Sequence, residues 1–177
     1  MKMNAKQLRS SQKPETGSRK PEAGNEIYII LDNVLDTYNI GSIFRLADGA
    51  GVKKVYLCGH TNTPPNPRIK KSSINTTEWV DWEYAESTVE LIRNLKFSIP
   101  NLQVIAVEQS DGSIPYDKFD YKQPIALVVG HETYGVSKEV LEVVDATVEI
   151  PMFGVNISLN VMVSLAIVLY KALEKIV

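Results

Sequence analysis

Short apolar runs alternate along this chain with stretches in which apolar residues recur every three or four positions. Ile27–Leu31 is a continuous apolar run, as expected of a strand covered on both faces. Asn39–Ala50 places Ile40, Ile43, Phe44 and Ala47 at helical spacing, and Gly51 ends it. Lys54–Cys58 is the next strand. Ser87–Phe97 has a helical pattern, Leu102–Glu108 a strand pattern, and Ile125–Val129 is a second fully apolar strand. A short helix opens near Ser137, a suitable N-cap. Ala146–Ile150 is the last strand and Ser158–Ile176 the last helix. After the Lys54–Cys58 strand, Gly59–Thr77 is rich in Pro, Asn, Ser and Thr and is too long for a simple connection. Loops of that length in a compact domain are usually functional or disordered.

This alternation predicts an α/β fold, a mainly parallel sheet with helices on both faces. Ligands in such sheets bind beyond the carboxyl ends of the strands. The last helix is apolar on more than one side. Leu159, Met162, Val163, Ala166, Ile167 and Tyr170 form one stripe, and Val161, Leu165, Val168 and Leu169 another. A helix apolar nearly all round must be buried on several sides. The second side faces either the core or a second subunit, and Val168 and Leu169 are expected at such an interface.

Composition narrows the class. With 177 residues, 44% of them apolar, the chain supports one sizeable core plus an appendage. No apolar run suits a membrane span, and the basic N-terminus lacks the apolar segment of a secretory signal. The single Cys58 excludes an internal disulfide framework and any multi-cysteine metal site, so the setting expected is cytoplasmic. Residues 1–25 carry six Lys/Arg against two Glu, a net of +4, while the rest of the chain carries −6. We read 1–25 as a disordered basic tail and 26–177 as the folded domain. The tail is either a passive extension or an arm that attracts nucleic-acid phosphate.

Three segments carry candidate chemistry, each a strand end followed by an irregular turn and a helix. In Asn39-Ile40-Gly41-Ser42-Ile43-Phe44-Arg45, Asn39 occupies a potential N-cap. Arg45 can lie back over the side-chain-free turn at Gly41, where a guanidinium suits phosphate or a developing oxyanion. In Val129-Gly130-His131-Glu132-Thr133-Tyr134-Gly135, Gly130 permits close approach of a ligand to the backbone and Glu132 adds a carboxylate. His131 ranks as a loop histidine. In Ile150-Pro151-Met152-Phe153-Gly154-Val155-Asn156-Ile157-Ser158-Leu159-Asn160-Val161, Ser158 and Asn160 stand at the start of the last helix, where bare amides hold small polar ligands. Helix capping is the plainer role for Ser158. Arg68, Lys70 and Lys71 put positive charge in the long loop, either solvated or gripping a nucleic-acid backbone. No residue cluster suggests a metal.

Together the segments resemble the three motifs of the SPOUT superfamily of RNA methyltransferases, specifically its SpoU branch of ribose 2′-O-methyltransferases. The resemblance runs from about Ile27 to the C-terminus. Met162 departs from it, standing where the family has a small residue. The resemblance implies an S-adenosylmethionine-dependent enzyme acting on a ribose 2′-hydroxyl of tRNA or rRNA, of which we favour tRNA. It implies a C-terminal trefoil knot and an obligate homodimer. It makes Asn39, Arg45, Glu132, Ser158 and Asn160 the catalytic set. Gly130, Ile150, Met152, Ser158 and Leu159 then hold the cofactor, with Arg45, Arg68, Lys70 and Lys71 on the RNA. Arginine is effectively always protonated, so Arg45 suits the forming alkoxide or a phosphate better than the role of base. The base, the RNA and the target nucleotide stay open.

Two other readings compete. A dinucleotide-binding dehydrogenase lacks its fingerprint, because no Gly-x-Gly-x-x-Gly follows the first strand. A non-catalytic RNA-binding module is opposed by the complete polar set.

Overall fold

A computed structural model of the protein describes residues 25–176. The basic tail lies outside them, apart from Asn25. The strands are β1 (Ile27–Asp32), β2 (Lys54–Cys58), β3 (Trp82–Ala85), β4 (Gln103–Val107), β5 (Ile114–Pro115), β6 (Ile125–Val129) and β7 (Ala146–Glu149). The helices are α1 (Thr37–Ala50), α2 (Pro67–Ser73), α3 (Thr88–Ser98), α4 (Lys138–Leu141) and α5 (Val161–Ile176), with a 3-10 turn at Thr76–Glu78. The strands form one seven-stranded sheet in the order β3-β2-β1-β6-β4-β7-β5. Every pairing is parallel.

Side chains alternate across a strand, so the buried runs of β1 and β6 serve two cores at once. Ile27, Ile29, Leu31, Ile125, Leu127 and Val129 face α1 and α5, where Ile43, Phe44, Leu165 and Leu169 meet them. Tyr28, Ile30, Ala126 and Val128 face the opposite layer with Ile92 and Leu95 of α3 and Val140 of α4. Helices thus cover both faces, as the alternation predicts. Among the described residues no helix is long and apolar enough to cross a membrane.

Several sequence expectations need correction. The Gly59–Thr77 segment is not an open loop. Asn66 caps α2 by accepting from the Arg68 and Ile69 amides at 2.9 and 3.3 Å, and Pro67 takes the first helical position, where its missing N–H costs nothing. The edge strand β3 and the two-residue β5 were not anticipated. Helix α1 begins at Thr37, not Asn39. Ser137 stands at the N-cap of α4 but its side chain makes no capping bond. Helix α5 begins at Val161, not Ser158. Its buried residues are Leu165, Val168, Leu169 and Ala172, so Val168 and Leu169 belong to the core and not to a subunit surface. The other stripe stays partly uncovered: Leu159, Val163 and Tyr170 are exposed, and Met162, Ala166 and Ile167 half-buried.

Candidate functional site

Strands β1, β6, β4 and β7 are neighbours in the sheet. Since all run parallel, their carboxyl ends form one edge. The segments starting at Asp32, Gly130, Glu108 and Ile150 all leave from it. This places the three motif segments side by side.

A chain of side-chain hydrogen bonds joins them. The Glu132 carboxylate accepts from the backbone amides of Leu35 and Asp36 at 3.1 and 2.9 Å and from Asn39 Nδ2 at 3.2 Å. Asn160 Nδ2 donates to Asn39 Oδ1 at 3.0 Å. Partial burial pushes the Glu132 carboxyl up, but the hydrogen bonds from Asp36, its own amide, Leu35 and Asn39 outweigh that and hold it below its ordinary value. Glu132 therefore stays ionised near the positive end of α1, where a carboxylate is favoured.

Asn39 is not the N-cap of α1. Asp36 is, accepting from the Tyr38 amide at 2.7 Å. Asn39 lies in the first turn, buried, with its carboxamide shared between Glu132 and Asn160. Asp36 is not singled out by the sequence because three residues of the capping type, Asp36, Thr37 and Asn39, crowd the helix start. Asn160 caps α5, its Oδ1 accepting from Met162 and Val163 at 3.0 and 3.4 Å, so capping falls to Asn160 and not Ser158. Ser158 and Leu159 lie before the helix and are exposed.

Gly41 has a different role from the one its motif suggests. A Cβ there would collide with Ser72 Oγ and lie 2.8 Å from Ile69 O and Ser73 N. Helix α2 sits on Gly41, so the turn is not open ground for Arg45. Arg45 is exposed on α1. Asp48, one turn further along α1, accepts from Trp79 Nε1 at 2.8 Å. Arg68, Lys70 and Lys71 are exposed on α2, and Lys70 pairs with Glu78 at 3.6 Å. Packing of α2 on α1 thus brings the basic loop residues and Arg45 onto neighbouring helices.

Gly130 also serves the fold. A Cβ would strike the backbone of Gly135 and Val136. What approaches Gly130 closely is the motif's own turn, closed by His131 N to Gly135 O at 2.9 Å and Gly135 N to His131 O at 2.8 Å. Two carboxylates that the sequence reading passed over hold the next two amides. Glu108 Oε2 accepts from Val136 at 2.9 Å and Asp32 Oδ2 from Ser137 at 2.8 Å. Asp32 is buried and also takes the Thr88 hydroxyl at 2.6 Å. A carboxylate at the very end of a buried strand was the available signal for both.

From Ile150 to Leu159, no backbone amide or carbonyl bonds to another backbone group among the described residues. Free amides and carbonyls beside the apolar side chains of Ile150, Met152 and Leu159 suit a ligand with a polar nucleoside and an aliphatic arm, which is the chemistry of S-adenosylmethionine.

The sequence profile of the SpoU rRNA Methylase family matches residues 26–170. The tRNA (guanosine(18)-2′-O)-methyltransferase of Aquifex aeolicus is 33% identical over 153 residues, covering 83% of this chain and 68% of that protein. The enzyme of the same name from Escherichia coli K12 is 27% identical, covering 83% of this chain and 62% of that one. The AdoMet-bound rRNA methyltransferase of Sinorhizobium meliloti superposes with a TM-score of 0.79 at 30% identity, covering 87% of this chain and 58% of that chain. The chain thus spans about two thirds of these relatives or less. The match takes in the strands, all three motif loops and most of α5, and on it the chain belongs to the SpoU methylase family.

Proposed function

We propose that this protein is an S-adenosylmethionine-dependent RNA methyltransferase acting on a ribose 2′-hydroxyl, with tRNA its substrate class. The observation that carries the reading is the Glu132–Asn39–Asn160 chain, which ties three motif loops together at the carboxyl edge of a parallel sheet. Relatives named as tRNA 2′-O-methyltransferases support the substrate, and the AdoMet-bound relative supports the cofactor. A cytoplasmic setting belongs to the same reading.

Bound S-adenosylmethionine supplies a methyl group activated by the sulfonium that carries it. The chain's task is then to align donor and acceptor and to exclude water. Gly130, Ile150, Met152, Ser158 and Leu159 line the cofactor side, mainly through backbone groups. Arg45 serves the acceptor side, stabilising charge that develops on the 2′-oxygen or holding a neighbouring phosphate. Glu132 and Asn160 hold the Asn39 carboxamide in one orientation beside the acceptor. Arg68, Lys70 and Lys71 extend the positive surface along the RNA backbone, and the tail at 1–25 adds sequence-blind attraction.

A C-terminal trefoil knot and a homodimer complete the proposal. Val107 and Ile114 both pair with Val148 of β7. The connection between them, 108–113, therefore straddles β7 where the chain leaves the sheet. A strand exit beneath such a bridge supports the threading. For the dimer, Phe153, Val155 and Ile157 are 97%, 100% and 81% exposed, next to the uncovered stripe of α5. Large apolar side chains left this exposed, next in sequence to the uncovered stripe, support an interaction surface there.

Calorimetric titration with S-adenosylmethionine, followed by transfer of labelled methyl to total RNA, tests the reading. Saturable binding with label in RNA is expected. Binding without transfer would reduce the protein to a cofactor-binding relative.

A further inference from the structure

The turn of the second motif carries two aromatic rings to which the methyl-transfer site gives no role. Tyr134 is 83% exposed, so its ring contributes little to any core. Its centroid lies 4.8 Å from that of His131, with the planes inclined by 43°, within the usual spacing of paired aromatics. His131 is itself oriented, since its Nδ1 accepts from the Thr133 amide at 2.9 Å. In the neutral ring this leaves the proton on Nε2.

This turn is held at several points. The His131–Gly135 backbone pair closes it. Glu108 and Asp32 grip Val136 and Ser137 immediately after it. Glu132, between the two aromatic residues, is fixed to α1 through Leu35, Asp36 and Asn39. An exposed tyrosine ring backed by a half-buried histidine on an anchored turn loses little entropy when a flat ligand settles on it. It also stands one residue from the carboxylate at the heart of the proposed site.

We propose that His131 and Tyr134 form a stacking platform for an unpaired base of the RNA, next to the nucleotide whose ribose is presented at Asn39 and Arg45. The proposal rests on the RNA reading above. Sequence-specific proteins take RNA mainly through splayed, single-stranded bases stacked on aromatic side chains. Stacking tolerates any base, because every base has a π-face. The platform therefore grips the RNA without choosing the base, and selection falls to other contacts.

Steady-state methyl transfer to unfractionated tRNA tests this, with wild type, Tyr134→Ala, Tyr134→Phe and His131→Ala compared. Loss of one stacking partner raises the KM for RNA roughly tenfold or more, while kcat at saturating RNA and calorimetric affinity for S-adenosylmethionine move little. Tyr134→Phe keeps the ring face and retains the wild-type KM. Melting temperatures close to wild type are expected throughout, and His131→Ala gives an independent arm should Tyr134→Ala melt early. A wild-type KM in both alanine variants would overturn the platform while leaving the methyltransferase intact. So would a Tyr134→Phe variant as impaired as Tyr134→Ala. A wild type that transfers no methyl to RNA would instead overturn the reading on which the platform rests.

Discussion

Asn160 Nδ2 donates to Asn39 Oδ1 at 3.0 Å, joining residues 121 positions apart. The bond fixes which way the Asn39 carboxamide points, oxygen toward α5 and nitrogen toward Glu132. Asn160 uses its own oxygen to cap α5, so helix start and site geometry depend on one side chain. Asn39→Asp replaces the donor facing Glu132 with a second carboxylate. The two would repel and leave a partly buried acceptor unpaired, a loss on the order of 1–3 kcal/mol. Urea unfolding should show it, together with a sharp fall in turnover. Wild-type stability and turnover in Asn39→Asp would mean that the chain of bonds is incidental.

Glu132 carries a pH signature. Its folded carboxyl lies below the ordinary 4.5, so it contributes stability that is present above that value and lost as pH falls through the folded one. Glu132→Gln removes the charge at all pH values. The difference in melting temperature between wild type and Glu132→Gln should be largest near neutrality and shrink on acidification below 4.5. A difference that stays constant over that range would show that the hydrogen bonds do not favour the ionised form.

Gly41→Ala should destabilise the protein. The new methyl meets Ser72 Oγ, which can rotate away, but also the backbone of Ile69 and Ser73 at 2.8 Å, which cannot without moving α2. Overpacking of this kind costs about 1–3 kcal/mol, read by thermal or urea unfolding. An unchanged stability would mean that α2 does not rest on α1 as described.

The two stripes of α5 should respond differently to charge. Val163→Glu or Ile167→Glu acts on the uncovered stripe and, under the proposed dimer, should yield folded monomers by light scattering. A two-fold interface doubles the effect of each substitution. Leu169→Glu buries a charge in the core and should unfold the chain instead. A wild type that is monomeric at micromolar concentration would end the dimer proposal.

What was legible in the sequence follows burial. Strands β1 and β6 are buried on both faces, so an unbroken apolar run marked them. Helix α2 was hidden because only Ile69 and Ser73 of its seven residues are buried, too few to show a period, and Pro64, Pro65 and Pro67 suggested a loop. Strand β3 lies at the edge with two exposed residues and gave no alternation. The motif residues were visible as types, but their partners were not. Whether Asp36 or Asn39 caps α1 depends on Glu132, 96 and 93 positions away. Likewise, Gly41 looked open because nothing local announces that Ser72 will cover it.

The central claim is ribose methylation, and the product reports it most directly. RNA should be incubated with S-adenosylmethionine and the protein, digested to nucleosides, and the added methyl located by mass spectrometry. The methyl is expected on the ribose 2′-oxygen of a tRNA nucleotide, at a level that falls about a hundredfold or more in Arg45→Ala while cofactor affinity holds. Methyl found on a base, or undiminished transfer by Arg45→Ala, would contradict it.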